Sequence, residues 1–337
     1  MFKANIETDG GIKTQAESTK VHYLRISVTD RCNERCIYCF PQDLGFLSKK
    51  DSQLSFEEFY AVVFHGAMKH GFKDFRITGG EPLVRKGTLS FIRRLTRTPG
   101  ISSVRLSTNG TLLGYYARQL KEAQIAGVNV SLDTLKPSLY KKITGGDIVP
   151  VLEGIEECRK VGIEPIKLNT VLLKGINEEE ILPLIDFAAE KNLIIRFIEL
   201  MPISYTTKIS KENFLSVYQV KQRLEKGDEL EPLEKKWGQG PAKYFRMKSR
   251  NVIVGFIGAL SDFHFCDNCN KMRLTSDGFI RPCLGNHLEI DIKGFLRPTV
   301  DPLGLYKSFE WALQKKPPEH SFREKYSPGR AMTAIGG

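Results

Sequence analysis

Residues 22–41 read HYLRISVTDRCNERCIYCFP: an alternating strand pattern that runs straight into three cysteines spaced C-x3-C-x2-C. A strand that ends in a chemistry-bearing loop points to a parallel α/β fold, in which the C-terminal strand ends carry the site. The cysteine count is informative in itself. A disulfide needs two and a closed zinc site needs four, whereas Cys32, Cys36 and Cys39 are three. Three thiolates can hold three irons of a [4Fe–4S] cluster and leave the fourth iron open to a small molecule. A zinc site completed by a remote His or Cys is the competing reading.

Working outward, the strand pattern recurs in DFRIT (74–78), SVRLST (103–108), VNVSL (128–132), PIKLNTV (165–171) and LIIRFIEL (193–200). Helical patterns separate these stretches, near 56–70, 87–97, 112–126, 150–161, 178–191 and 211–225. Ser55 and Glu58 form a capping box ahead of the first, and Pro183 sits near enough to the start of the fifth to be tolerated. Strand–helix alternation predicts a parallel sheet with right-handed crossovers. Six repeats predict an α/β fold, a partial (β/α)6 barrel over residues 21–240. The informative polar residues fall at the strand ends: the cysteines, TGGEP (78–82), STNG (107–110), SLDT (131–134), NT (169–170) and ELMP (199–202). A parallel barrel gathers such ends on one rim, so an active site is expected there.

Beyond residue 240 this rhythm stops. PAKYFRMKSRNVIVGFIG reads as two strands joined at a turn, and KMRLTSDGFIRPC as a hairpin turning at Asp277-Gly278. Residues 241–337 are therefore expected to form a small C-terminal module, with a helix near 304–315 and a Gly-Gly tail. The module carries a second cysteine trio, Cys266, Cys269 and Cys283, for which a zinc ribbon or a Cys3His site using His264 or His287 is an alternative. Cys158 shares a helical face with Val151 and Ile155 and reads as a core thiol.

The apolar fraction of 41% and charged fraction of 26% are those of a globular protein, and no window reaches 18 apolar residues. Residues 1–20 hold Glu7, Asp9 and Glu17 and no apolar run, which predicts a short tail rather than a signal, and hence a cytoplasmic protein. There thiols stay reduced and cysteine clusters bind metal. The net charge of +11 is scattered rather than blocked, which suits a solvated surface or a small polyanion better than nucleic acid.

The motifs taken together resemble those of the GTP 3′,8-cyclase family of the radical S-adenosyl-L-methionine (SAM) superfamily. The resemblance runs from about Tyr23 to Gly337, on LRISVTDRCNERCIYC, FRITGGEPLVR, STNG, VSLDTL, KLNTVLLKGIN, IRFIELMP, FCDNCNKMRLTSDGFIRPCL and the terminal IGG. It implies a lyase with two [4Fe–4S] clusters, one on Cys32, Cys36 and Cys39 that splits SAM, the other on Cys266, Cys269 and Cys283 whose free iron holds the purine. The implied reaction abstracts hydrogen from C3′ of GTP and joins that carbon to C8, giving 3′,8-cyclo-7,8-dihydro-GTP, the first step of molybdenum cofactor biosynthesis. By the same resemblance Tyr38, Gly80, Ser131 and Met201 contact SAM. Arg25, Arg76, Ser107, Lys167, Lys271, Met272 and Arg273 contact GTP, and Gly336 and Gly337 serve catalysis. Three positions depart from the family pattern: Ser107 stands where Thr is usual, Lys271 where Arg is common, and Phe40 where Met is usual. The implied partners are GTP, an electron donor and, as a functional link, cyclic pyranopterin monophosphate synthase. A homodimer is left open; no nucleic acid and no membrane is expected. A radical-SAM peptide maturase and a zinc-containing nucleic-acid-binding protein are the rival functions.

Overall fold

Strand β1 (Tyr23–Ser27) sets the pattern for the barrel: Leu24 and Ile26 are fully buried against the helices, while Tyr23, Arg25 and Ser27 alternate toward the interior. The computed structural model describes residues 21–40, 52–203, 209–235, 237–324, 326–327 and 329–336, so the tail at 1–20 and Gly337 lie outside the described residues. Five strands follow β1 in parallel and in chain order: β2 (Asp74–Thr78), β3 (Ser103–Thr108), β4 (Val128–Ser131), β5 (Ile166–Leu172) and β6 (Ile194–Glu199).

The connecting helices are α1 (Phe56–Ala61), α2 (Thr88–Thr96), α3 (Leu113–Glu122), α4 (Pro137–Thr144), α5 (Val149–Lys160) and α6 (Ile181–Glu190), with α7 (Val217–Glu225) after β6. The capping box at Ser55 and Glu58 forms as expected, and α1 runs on as a wider π turn over Val62–Ala67. Pro183 is the third residue of α6, within the first turn, where no intrahelical N–H bond is forfeited. Cys158 is fully buried on α5 in the main core. Among the described residues no helix is long and apolar enough to cross a membrane.

The C-terminal residues supply β7 (Leu230–Leu233), β8 (Lys243–Met247), β9 (Val252–Ile257), β10 (Lys271–Leu274), β11 (Phe279–Arg281), β12 (Ile290–Asp291), α8 (Pro302–Gln314) and α9 (Met332–Ile335). Both expected hairpins form: β8 pairs antiparallel with β9, and β10 with β11 around Gly278 at φ 84°. What the sequence pattern does not reveal is where they attach. β9 lies parallel on β6, and β10 lies parallel on β1, so one sheet runs β12-β11-β10-β1-β2-β3-β4-β5-β6-β9-β8-β7. The module thus extends the barrel sheet at both edges. Residues 258–270, which carry Cys266 and Cys269, cross from one edge to the other.

Candidate active site

The cysteine loop is held by the two strand ends beside it. Gly80 N–H donates to Thr29 O (2.7 Å) and Glu81 N–H to Arg31 O (2.8 Å). A Cβ on Gly80 would lie 2.3 Å from Arg31 O, and one on Gly79 2.6 Å from Thr29 O, so the two glycines let the backbones touch. On its other side the loop docks on α4: Arg35 N–H donates to Thr144 O (2.7 Å) and Ile37 N–H to Ile143 O (2.9 Å). Side chains complete the frame. Tyr38 donates to Asp133 (2.7 Å), Tyr140 to Glu34 (2.7 Å), and the Asn109 amide reaches the Cys32 sulfur (3.9 Å). Glu81 is fully buried, where it accepts from Leu83 N–H, Thr108 and Asn109 N–H; burial outweighs these bonds and lifts its carboxyl to about 7.

Burial pushes the Cys32 thiol up to about 11 and that of Cys39 up to about 12, with Cys36 raised as well, so a metal would have to displace their protons. All three line one cavity of about 340 Å³, and so do Cys266, Cys269 and Cys283. Among the described residues no three His, Cys, Asp or Glu side chains converge tightly enough for a single metal ion. Free thiols in threes on one cavity wall are the donor chemistry of [4Fe–4S] clusters.

The second trio sits in an electropositive setting. Cys269 is held below the ordinary thiol range: burial opposes this, but the Lys316 and Lys271 ammonium groups outweigh it. The histidines considered as a fourth ligand point elsewhere. His264 is exposed and bonds Asp267 (2.8 Å), while His287 stacks on Tyr326 (ring centroids 5.0 Å apart). His320 does line the cavity, but Nε2 faces Ala259 O (2.8 Å) and Nδ1 accepts from Phe322 N–H (3.2 Å). Both ring nitrogens are engaged, and among the described residues no histidine completes this site.

Between the trios runs a ladder of cations set by strand register. Arg273 on β10 pairs in register with Arg25 on β1, Arg25 with Arg76 on β2, and Arg76 with Arg105 on β3. Across the barrel Lys167 on β5 and Arg196 on β6 are also buried. Adjacent like charges in a low-dielectric interior repel strongly, so an anion is needed to offset them. Burial lowers Arg25 to about 10, and burial with Arg196, Arg76 and Arg105 nearby lowers Lys167 to about 6.

The structure brings Arg25, Tyr38, Arg76, Gly80, Ser107, Ser131, Met201, Lys271 and Arg273 to the cavity wall. Lys167 lies just beneath it, 1% exposed. Met272 is placed differently: strand alternation turns Lys271 and Arg273 inward and sends the Met272 side chain into the hydrophobic core. Gly336 enters the barrel mouth, where its carbonyl accepts from the Arg273 guanidinium and a Cβ would lie 2.6 Å from Thr78 Cγ2.

A profile of the radical SAM superfamily matches residues 26–188, and one described as Molybdenum Cofactor Synthesis C matches residues 193–322. A GTP 3′,8-cyclase of Pelotomaculum thermopropionicum is 41% identical over 320 residues, and that of Moorella thermoacetica 43% identical over 319; each alignment covers 94% of this chain and 98% of the relative. This chain belongs to the GTP 3′,8-cyclase family. Among solved structures, Streptococcus suis SuiB bound to precursor peptide SuiA superposes with a TM-score of 0.60, covering 91% of this chain and 76% of that one. At 16% identity that likeness is one of fold.

Membership of the radical SAM superfamily implies a [4Fe–4S] cluster and SAM for a GTP 3′,8-cyclase family chain. The frame around the first trio is partly made by residues the sequence reading passed over: Glu34, Asp133 and Tyr140. It also missed Arg105, Arg196 and Lys316. A signal was available for two of them, since SVRLST and LIIRFIEL each place one arginine inside an otherwise apolar or small strand. Such a charge is either at an edge or turned into a polar interior. Lys316 had no such signal; its Nζ donates to the carbonyls of Lys271 (2.8 Å) and Pro282 (2.7 Å), contacts that depend on the folded C-terminal segment.

Proposed function

We infer that this protein cyclises GTP to 3′,8-cyclo-7,8-dihydro-GTP, opening molybdenum cofactor biosynthesis. The observation that carries the reading is one cavity lined by both cysteine trios and by a register-aligned set of cations. The carboxylates on its wall are already engaged: Glu34 by Tyr140, Asp133 by Tyr38, and Glu199 by the N–H groups of Leu260 (2.7 Å) and Ser261 (3.1 Å). None of these wall carboxylates pairs with the cavity's cations, which suits the cations to a polyanion.

Cys32, Cys36 and Cys39 hold the cluster that meets SAM, with Tyr38, Gly80, Ser131 and Met201 around the cofactor. Bound there, cluster and SAM supply the one-electron chemistry that opens the C3′–H bond of the ribose. Cys266, Cys269 and Cys283 would hold a second cluster on the wall that would take the base. Arg25, Arg76, Ser107, Lys167, Lys271 and Arg273 take the phosphates and ribose, leaving Met272 at most a backbone contact. Pinning base and phosphates on different walls fixes the nucleotide so that C3′ and C8 face each other, which is the orientation a ring closure needs. The buried wall excludes water that would quench a radical. Gly336, held by Arg273, stands at the mouth. An electron donor is an expected partner, and the cyclic pyranopterin monophosphate synthase is the expected consumer of the product.

The test is to purify the protein without oxygen, count iron and sulfide, and offer the reduced enzyme SAM with GTP or with other nucleotides and peptides. About eight irons per chain, and 5′-deoxyadenosine formed only with GTP, is the expected result. A colourless zinc protein, or turnover of a peptide instead, overturns the reading.

A further inference from the structure

Arg105 belongs to the cation ladder yet has no role in the reading above. It lies on the same face of β3 as Ser107, which lines the cavity, while Val104 and Leu106 on the other face are buried in the core. Two residues below Ser107 on its strand, it sits at the end of the barrel away from the rim that carries Cys32, Cys36 and Cys39. Lys167 lies two strands on, paired through Asn129 of β4 with Ser107, and two residues below the cavity-lining Asn169.

A glycine strap brings the two together. Gly238 has φ 116°, and a Cβ there would lie 3.2 Å from Lys167 Nζ and 3.5 Å from Arg105 Nε, so the two cationic atoms are no further apart than the sum of those distances. The strap is anchored across the open edge of the barrel by Gln239, whose carbonyl faces His22 Nε2 (3.2 Å) and Asn270 Nδ2 (3.4 Å). One residue on, Gly240 passes Arg196, with its Cβ position 3.9 Å from Nη1. The strap offers these cations no carboxylate.

The partners Arg105 does have leave it underused. Nη1 donates to Ser103 Oγ (2.6 Å), and Asp74 stands 3.9 Å away and is itself bonded by Ser103. Nε is buried with no partner, as is Nε of Arg196. A buried guanidinium with part of its donor fork unfilled, beside an unneutralised lysine, is built to receive an anionic oxygen.

We propose that Arg105 is a further substrate-binding residue of this protein, and that with Lys167 it grips the outermost phosphate of the nucleotide at the barrel floor. The inference rests on the GTP reading above. It assigns Arg25, Arg76 and Arg273, which line the cavity itself, to the inner phosphates, and the Arg105–Lys167 pair to the third. Selectivity for a triphosphate over a diphosphate then resides in this pair.

The experiment measures equilibrium binding of GTP, GDP and GMP to the anaerobically prepared holoprotein, for the unaltered chain and for Arg105→Met and Arg105→Lys. Iron content and thermal melting are recorded for each variant. Arg105→Met should lose GTP affinity by roughly 10- to 100-fold, the usual worth of a charge-assisted pair. GDP and GMP affinities should change little, so the GTP:GDP ratio falls toward one. Arg105→Lys, which keeps the charge but not the fork, should fall between, and it remains informative if the methionine variant folds poorly. An unchanged GTP:GDP ratio in folded, iron-replete variants overturns the proposal, as does an equal loss for all three nucleotides. If the unaltered holoprotein binds none of the three, the GTP reading itself has failed, which is a distinguishable result.

Discussion

Replacing Gly80 by alanine tests whether the GGEP stretch is needed to build the cysteine loop as well as to meet the cofactor. The added Cβ would stand 2.3 Å from Arg31 O and 2.6 Å from Arg31 C. Reaching 3.0 Å, below which real Cβ atoms are not found, requires the two segments to part by about 0.7 Å. Both segments are fixed elsewhere, one through Arg35 and Ile37 on α4, the other through the buried Glu81 carboxylate. The move therefore strains the Gly80–Thr29 and Glu81–Arg31 bonds. Overpacking costs about 1–3 kcal/mol, and weakening two backbone bonds adds roughly 0.5–1.5 kcal/mol each. The loss of about 2–6 kcal/mol falls on the loop carrying Cys32, Cys36 and Cys39 and spares the segment carrying Cys266 and Cys269. Anaerobically purified Gly80→Ala should thus lose up to half its iron, with the electron paramagnetic resonance signal of one cluster depleted. Gly294→Ala, where nothing lies within 4 Å of the added Cβ, is the control and should keep all of it. Full iron and an unchanged melting temperature in Gly80→Ala would refute the packing argument.

Two other outcomes follow from the cation ladder. Lys167 is lowered to about 6 by burial and by Arg196, Arg76 and Arg105, whereas an unfolded lysine holds its proton to above pH 10. Between those values the unfolded chain binds more protons, so this lysine's contribution to stability rises with pH; a bound polyanion restores the charged form. GTP binding at pH 8, where the terminal phosphate is already ionised, should take up roughly one proton, seen as a binding heat that varies with the buffer's ionisation enthalpy. Heat that is the same in every buffer contradicts the assignment. Arg273→Ala should weaken GTP binding by about tenfold or more with both clusters retained, and should free the C-terminus to brief carboxypeptidase digestion, because Gly336 loses its hydrogen-bond donor. Unaltered affinity and an equally protected tail count against both roles.

Most of the barrel was legible because its strands and its helices other than α4 (Pro137–Thr144) were read from local signals. The period-2 strands end in polar residues, Ser55 and Glu58 announce α1, and the cysteine spacing marks the loop. The attachment of β9 to β6 and of β10 to β1 was not, since a strand's own pattern shows which face is apolar but not which edge it joins. The same gap explains the site. Residues inside contiguous motifs, such as Cys32, Gly80 and Arg273, could be named from the chain. Tyr140, Lys316 and the strap at Gly238 act across 106, 34 and some 70 residues of sequence respectively, through contacts that only the folded chain creates. Met272 marks the limit of a motif match, which carries no statement of side-chain direction: alternation along β10 turns this side chain to the core.

The most direct test of the central claim uses GTP carrying deuterium at C3′. The reduced, iron-replete enzyme is given this substrate and SAM without oxygen, and both products are analysed by mass spectrometry. The account predicts one deuterium in 5′-deoxyadenosine for each GTP consumed, together with a cyclised nucleotide of the mass of unlabelled GTP, one electron and one proton making good the deuterium removed. 5′-Deoxyadenosine formed without deuterium, or formed while GTP is left intact, would contradict it.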